Sequence, residues 1–423
     1  FTFDTRESVS GTGNLFYYLP KDESLNSKGE DMNAQSSFRF LALTSRVGVD
    51  VSGYYINNVH FGAKVEADFY SGLSGVTGTA TLRLRQAYTT VTWKDLMLGG
   101  EPKASVGLKI GQAWHPMAAD HPHVFDLEVG APFGPFSRTP QVTMDANLGK
   151  NWTITGSALW QMQYTSMGPA GSSADYMKYG LIPEFYAGAT YKSGGFLARA
   201  GVDVLSIRPR IQGELNGEKV KVDDRITTAS VFAYAQYNKG LFSAKAKTTY
   251  GSAGEHMGLM SGYAKVGELE DGTWQYASLR NSSSWVSFSY GKKWQGVLFA
   301  GYMKNLGLAD PADADLLSKS GDGKITPDVY FNTNGSTNIN QMYRINPQLL
   351  YNFGKFSIGL EYQWTAVQYG DYKKVVRMKD GNPVLDDKGK EVKDSYVNKH
   401  ALATENLHWV GNHRVNMMVK FTF

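Results

Sequence analysis

The sequence lacks cysteine altogether, and it lacks any long apolar run. Without cysteine the chain can form no disulfide scaffold and carry out no thiol chemistry. No apolar stretch approaches the ~20 residues that a membrane-spanning helix needs, which excludes a helical membrane protein. Charge of one sign is also scarce, because 43 basic residues against 39 acidic ones leave a formal net charge of +4. So small an excess predicts no nucleic-acid partner.

Apolar residues are plentiful but nowhere clustered. The hydrophobic fraction is 42% and the mean hydropathy is −0.34, values that suit a soluble protein or a barrel whose alternate residues face water. Aromatic residues make up 13% of the chain and glycine occurs 46 times, as expected for aromatic girdles and for bends in curved sheets. No proline- or serine-rich linker interrupts the chain, so we expect residues 1–423 to form a single domain.

The end of the chain shows a clear alternation of apolar and polar residues. One face carries Val415, Met417, Val419, Phe421 and Phe423, and the other carries Arg414, Asn416, Met418, Lys420 and Thr422. A period of two predicts a β-strand with one apolar face. A chain that ends on such a strand, with an aromatic last residue, resembles the C-terminal signal of bacterial outer-membrane β-barrels.

The same alternation recurs along the chain and predicts about sixteen strands. Their expected spans are 3–19, 37–52, 59–70, 81–93, 104–114, 140–148, 152–165, 179–192, 196–209, 226–238, 241–252, 278–291, 295–304, 340–353, 355–368 and 408–423. The connections alternate between seven short turns and eight long polar loops. That pattern is typical of an up-and-down barrel with both termini on the periplasmic side. We therefore predict an all-β, antiparallel transmembrane barrel rather than a soluble β-sandwich.

The residues expected to face the lumen carry eleven basic side chains against six acidic ones. The basic set is Arg46, Lys64, Arg83, Arg85, Lys109, Arg199, Lys245, Lys247, Arg344, Arg414 and Lys420, and the acidic set is Asp50, Glu66, Asp68, Glu184, Asp203 and Glu361. Such an excess inside low-dielectric walls attracts anions. The hypothesis is a water-filled channel with a mild preference for anions. The alternative is that Arg83 and Arg85 pair with Glu66 and Asp68 on the adjacent strand, which leaves little net field.

The third long connection, from Trp114 to Pro140, contains five prolines and is predicted to be an ordered irregular loop. In large trimeric porins the third long loop folds into the lumen, and this segment resembles it in position and size. Its charged residues would then face the basic wall across a constriction. The predicted pore-lining and constriction residues are Arg46, Lys64, Glu66, Asp68, Arg83, Arg85, Lys109, Asp120, Asp126, Glu128 and Arg138.

Two segments have the residue types of a metal site, but neither pattern is specific. Asp120, His121 and His123 offer competent ligands, although neighbouring loop residues are more often simply solvated. Residues 318–329 imitate the centre of an EF-hand loop but lack the acidic residues of its first and twelfth positions. We therefore expect no metal and no cofactor.

Four motifs in the first 115 residues resemble a known family. They are SRVGVDVSG at 45–53, KVEADFYSG at 64–72, LRLRQAY at 82–88 and VGLKIGQAW at 106–114. This succession is similar to that of the DcaP-like porins, which form sixteen-stranded, usually trimeric barrels that pass small anionic solutes. The resemblance implies an anion preference carried by Arg46, Arg83 and Arg85. The long loops indicate a divergent branch, with the Bacteroidetes as the expected source.

These observations predict a non-enzymatic porin of the bacterial outer membrane. It would pass small hydrophilic solutes by passive diffusion, with a mild preference for carboxylate-type anions, and would contact membrane lipid and lipopolysaccharide as a homotrimer. The alternative is a plugged or structural barrel that acts as a surface adhesin through its long loops. None of the eight histidines lies in a recognisable catalytic pattern. The identity of the solute, and whether the pore is open or gated, cannot be read from the sequence.

Overall fold

The computed structural model of the chain describes residues 1–10, 17–40, 42, 45–69, 82–125, 129–312, 324–325, 328–333, 335–379, 381–396 and 400–423. Within these residues the architecture is one large antiparallel sheet that wraps into a barrel. Among the described residues no helix is both long and apolar enough to cross a membrane.

Sixteen strands build the wall in the described residues. They are β1 (Thr2–Asp4), β2 (Arg46–Ile56), β3 (Val59–Asp68), β4 (Arg83–Leu98), β5 (Glu101–Trp114), β6 (Arg138–Leu148), β7 (Trp152–Leu159), β8 (Glu184–Ser193), β9 (Phe196–Ile207), β10 (Ile226–Lys239), β11 (Phe242–Ser252), β12 (Trp274–Gly291), β13 (Trp294–Leu308), β14 (Ile339–Phe353), β15 (Phe356–Asp371) and β16 (Glu405–Phe421). From β2 to β16 each strand pairs with the next. At the two ends of this series, β1 pairs with β16 on one side and on the other with Ser37–Arg39, the segment that precedes β2 in the chain.

The remaining elements lie in the long connections. Short strands occupy Ser8–Ser10, Tyr17–Pro20, Ser37–Arg39, Gln212–Leu215, Glu218–Lys221, Gly262–Glu268, Lys324–Ile325, Val329–Phe331, Lys373–Val376, Met378–Lys379, Asn382–Pro383 and Lys393–Tyr396. The one α-helix of the described residues is Asp175–Gly180, and 3-10 turns form at Pro116–Ala118 and Glu255–Met257. The strands Gly262–Glu268 and Val329–Phe331 pair with each other. Gly262–Glu268 also pairs with β12, so the sheet extends into the long connections next to that strand.

The seven predicted short turns are confirmed, and each lies between consecutive wall strands. In the structure they shrink to two or three residues, such as Gly194–Gly195 between β8 and β9. Gly194 has a φ of 56° and Gly354 a φ of 59°, a left-handed conformation that glycine adopts without steric cost. Tight turns of this kind keep neighbouring strands in antiparallel register.

The two faces of the wall have the polarity that the alternation predicts. On β15, Ile358 and Leu360 point outward and are 41% and 53% exposed, whereas Glu361 is fully buried inside the barrel. This inversion of a soluble protein's pattern means that the outward surface is stable only against an apolar solvent such as lipid. The predicted transmembrane barrel is therefore confirmed.

Several predicted strand limits were wrong. The expected strand 3–19 is instead the short β1 followed by two separate strands, because Ser8–Ser10 pairs with Tyr17–Pro20 as a hairpin rather than with the wall. The expected strand 37–52 is interrupted between Arg39 and Arg46. The predicted strand 152–165 ends at Leu159. After Leu159 the alternation continues, but the chain leaves the sheet and enters the following loop.

Candidate functional site

The third long loop, residues 115–137, crosses the lumen and is held by the opposite half of the wall. Both Asp120 carboxylate oxygens accept from Arg199 of β9 at 2.9 Å. Farther along the loop, the backbone amide of Phe125 donates to Glu361 of β15 at 3.1 Å. Further polar contacts join the loop to Lys245 and Lys247 of β11, Ser283 and Ser287 of β12, and Arg344 and Gln348 of β14. The predicted inward-folded third loop is thus confirmed.

Aromatic side chains of the loop pack against glycines of the wall. The ring of Phe133 is fully buried and lies over Gly301 of β13, with its centroid 6.1 Å from that of Phe299. Phe125 covers Gly359 of β15 in the same way. A glycine leaves room for a ring where a Cβ would collide with it, so these two positions let the loop lie flat against the wall.

This docking leaves a cavity of about 820 Å³ on the other side of the loop. Three groups of residues line it: charged residues of β2, β3 and β4, apolar residues of the loop, and the last six residues of the chain. The charged residues are Arg46, Asp50, Lys64, Glu66, Asp68, Arg83 and Arg85, and the loop contributes Val124, Phe125, Val129 and Phe136. The cavity therefore lies between a charged part of the wall, the third loop and the end of β16.

The charges of the wall form a paired ladder rather than a row of free cations. Arg83 forms a bidentate pair with Asp68, at 2.9 and 2.7 Å. Arg85 bridges Glu66 at 2.6 Å and Asp68 at 3.0 Å. Pairing across strands occurs because residues opposite each other in antiparallel register lie close together. The alternative raised by the sequence, that these four residues pair with each other, is what the structure shows.

Arg46 differs from the other two arginines in its exposure. Its Nε lies 3.8 Å from Glu66 Oε1, at the limit of an ion pair, and its side chain is 49% exposed. The side chains of Arg83 and Arg85 are 21% and 7% exposed. Because an exposed guanidinium that is only loosely paired can exchange partners easily, Arg46 is the arginine best placed to meet a solute.

Four other predicted constriction residues lie elsewhere or outside the described residues. Lys109 places its ammonium 5.5 Å from the ring centroid of Tyr88, away from the cavity lining. Asp120 belongs to the docked side of the loop, through its pair with Arg199. Asp126 and Glu128 fall outside the described residues.

The remaining predicted residue, Arg138, is completely buried at the start of β6. Its guanidinium carbon lies 4.7 Å from the Trp114 ring centroid, and one of its terminal nitrogens donates to the Tyr164 hydroxyl at 2.7 Å. Its Nε and the other terminal nitrogen have no hydrogen-bond partner among the described residues. Aromatic packing therefore holds this cation behind the cavity.

In the part of the chain that the structure describes, the ligand atoms of Asp120, His121 and His123 do not lie together as one group. The Asp120 carboxylate already makes its bidentate pair with Arg199. Burial lowers the pKa of His121 to about 3, with the nearby positive charge of Lys247 adding to the effect. Burial and the charge of Lys245 lower the pKa of His123 to about 4. Both imidazoles are therefore neutral at physiological pH. The EF-hand-like segment 318–329 lies almost wholly outside the described residues.

A second group of ionisable residues is buried where the loop leaves the wall. It contains His115, Glu184, Asp203 and His256, which come from the loop root, β8, β9 and the connection after β11. The alternation along the strands predicted that Glu184 and Asp203 face the lumen, but no pattern in the sequence indicated that they contact two histidines. Donor atoms of the first three lie within 4.8 Å of one another, an arrangement that can hold a metal ion.

Comparison with known proteins supports the fold. No protein-family model and no curated protein sequence matches the chain. Among solved structures, the outer-membrane channel DcaP of Acinetobacter baumannii superposes with a TM-score of 0.57 at 16% identity, over 99% of this chain and 95% of that one. The fold is that of this outer-membrane channel.

Two further solved structures resemble the chain less closely. They are OmpF of Salmonella typhi, with a TM-score of 0.46 at 10% identity over 99% of this chain and 96% of that one, and OmpT of Vibrio cholerae, with a TM-score of 0.45 at 9% identity over 88% and 89%. The family resemblance inferred from residues 45–114 thus agrees with the DcaP fold over almost the whole chain.

Proposed function

We propose that the chain is a porin of the bacterial outer membrane, which passes small hydrophilic solutes by passive diffusion with a mild preference for anions. The observation that carries the proposal is the cavity of about 820 Å³ between the third loop and the charged wall. A passage narrowed by a docked loop and lined by charge on one side selects solutes by size and charge.

The charge balance of the cavity supports a mild rather than a strong preference. Its lining contains five basic side chains, Arg46, Lys64, Arg83, Arg85 and Lys420, and three acidic ones, Asp50, Glu66 and Asp68, which leaves an excess of two positive charges among the described residues. Ladder pairing cancels most of the field close to the wall. The excess attracts carboxylate-type anions but does not exclude cations.

Arg46 is the residue that we expect to carry the preference. At about 5 Å from a passing ion in water, one unit charge contributes ~0.8 kcal/mol, which changes the local anion concentration by a factor of ~4. Salt at ~0.1 M reduces this effect beyond ~10 Å. Replacing Arg46 should therefore lower the anion-to-cation permeability ratio several-fold, without loss of the barrel.

The test is single-channel recording of purified protein in a planar bilayer under a salt gradient, for the wild type, Arg46→Gln and Lys150→Gln. Lys150 lies in the short turn between β6 and β7, so its replacement removes the same charge away from the cavity. We expect the reversal potential to indicate anion preference in the wild type and in Lys150→Gln. The preference should shrink in Arg46→Gln. An unchanged reversal potential in Arg46→Gln would refute its role.

The plugged or structural barrel remains the second candidate, because the third loop packs inside the barrel against β9, β11, β12, β14 and β15. Loop residues such as Phe133 and Met117 are completely buried against the wall. If folded protein inserts into bilayers and carries no current, that result would favour a barrel whose long loops bind a surface partner over a porin.

We also propose a homotrimer that is embedded in lipid and touches lipopolysaccharide. Ala235 of β10 lies opposite Ala246 of β11 in the sheet, and Ala244 is the next outward-facing residue of β11. Because these side chains are small, a second protomer could approach the outer surface closely there. Lysines of the last long loop, such as Lys388, would meet lipopolysaccharide phosphates. Chemical cross-linking in native membranes tests the trimer, and a ladder that stops at the monomer would exclude it.

A further inference from the structure

The cluster at the root of the third loop places two carboxylates and two imidazoles in contact inside the barrel. His256 Nε2 lies 2.8 Å from Glu184 Oε1, and His115 Nε2 lies 3.2 Å from the same oxygen. His115 Nε2 also lies 3.5 Å from Asp203 Oδ1. No side chain of the four is more than 2% exposed.

The carboxylates of the cluster have only imidazoles, and no lysine or arginine, as basic partners among the described residues. The carboxyl group of Glu255 is buried beside them. Asp203 Oδ1 is buried without a hydrogen-bond partner in the same part of the chain. A carboxylate removed from water is tolerated when it is paired or when it coordinates a metal. The orphaned oxygen points to an additional positive group.

We propose that His115, Glu184 and Asp203 form a binding site for a divalent transition-metal ion of the zinc type, and that His256 supports Glu184 from outside the ligand set. Zinc prefers nitrogen and oxygen ligands at ~2.0–2.2 Å, which separates the donors by ~3.3 Å along a tetrahedron edge, and three protein ligands leave the fourth position to water. His115 Nε2 lies 3.2 Å from Glu184 Oε1 and 3.5 Å from Asp203 Oδ1, close to that value. Imidazole and carboxylate together suit zinc, cobalt and manganese better than calcium.

Metal binding changes one hydrogen bond at the loop root. The backbone amide of Met117 donates to His115 Nδ1 at 3.1 Å, which leaves the proton of the neutral ring on Nε2, facing the carboxylates. An ion at Nε2 replaces that proton, and the ring then carries its proton on Nδ1, so the Met117 amide turns away. The ion therefore competes with a single backbone contact and gains two further protein ligands.

The site would fasten three parts of the protein that are far apart in sequence. His115 begins the third loop, His256 belongs to the 3-10 turn Glu255–Met257, and the two carboxylates belong to the wall. An ion bound to His115, Glu184 and Asp203 would tie the loop root to β8 and β9, and the contact between His256 and Glu184 extends that link to the connection after β11. Its effect would be to stabilise the docked loop, whatever solute the channel passes.

The experiment refolds the full chain from a chelator-treated, denatured state with and without Zn²⁺ or Co²⁺, since the buried site is best loaded during folding. After desalting, the metal content per chain and the unfolding temperature are measured for the wild type, Asp203→Asn, His256→Gln and the control His123→Gln. His123 belongs to the same loop but lies outside the cluster.

We expect the wild type and His123→Gln to retain about one ion per chain and to unfold at a higher temperature with metal. Each cluster variant should bind the ion at least ~10-fold more weakly, and bound Co²⁺ should show the absorption of a tetrahedral complex in the wild type and in His123→Gln but not in the cluster variants. Folded wild type that retains no metal would overturn the proposal, and so would equal retention by both cluster variants. If Asp203→Asn fails to fold, His256→Gln decides alone.

Discussion

Replacing Gly301 with alanine tests whether the wall glycines position the third loop. A Cβ built on Gly301 would lie 2.7 Å from Cδ2 of Phe133, whereas carbon atoms in contact prefer ~3.5–4.0 Å. The ring must therefore retreat by about 1 Å from a site where it is fully buried. Overpacking of this kind costs ~1–3 kcal/mol.

The displaced ring has little room along the wall, because Phe299 packs against it with the ring centroids 6.1 Å apart. We therefore expect the loop to shift away from β13 and toward the cavity. The hydrogen bond from Arg344 to the Ala131 carbonyl, at 3.2 Å, would lengthen at the same time. A loop that leans into the cavity narrows the passage, so we expect a lower mean conductance and more frequent current flicker.

The assay is single-channel recording, with heat-induced unfolding as a check that the barrel is intact. Gly296→Ala is the matched control, because it lies on the same strand and a Cβ there meets nothing within 4 Å. Removing the ring in Gly301→Ala/Phe133→Ala should restore a steady current, and the double-mutant cycle measures the coupling. Wild-type conductance and flicker in Gly301→Ala would refute the idea that this contact sets the loop position.

Three further changes test other parts of the structure. Glu66→Gln removes a carboxylate from the paired ladder, so anion preference measured by reversal potential should rise, opposite to the effect of Arg46→Gln; a fall would contradict the charge argument. Burial in the docked loop holds the pKa of His123 at about 4 and that of His121 at about 3 instead of 6.5, so docking is fully stable above pH 6.5 and weakens as the pH falls toward 4. Current flicker should increase in that window, and His123→Gln should reduce the increase without removing the part that His121 contributes. Recordings that do not change with pH would exclude the idea. Leu360→Arg on the lipid-facing side should lower the free energy of unfolding, measured with urea in lipid vesicles, by ~2–4 kcal/mol. Ser357→Arg on the inward side should lower it much less. Equal decreases would show that the two faces are wrongly assigned.

The paired ladder shows how much of the candidate site could be predicted from the sequence. Spacing of two placed Arg83 and Arg85 on one face, and the neighbouring strand placed Glu66 and Asp68 opposite them. Whether these residues paired or stood free depended on register and rotamer, which a single sequence leaves open. The structure supplied the 2.6–3.0 Å contacts, and with them the reason why Arg46 is the more exposed arginine.

The sequence by itself determined the barrel: its alternation assigned the two faces of strands such as β15, and its glycine-rich turns separated the strands in the right order. These signals are local, because side-chain direction and turn conformation depend on residues next to one another. Only the tertiary structure decided where the third loop docks and which buried groups meet. Phe125 and Glu361 are 236 residues apart, and His115 and Glu184 are 69 apart. Contacts across a lumen leave no periodic pattern in the sequence, since they depend on which strands lie opposite each other in the folded wall.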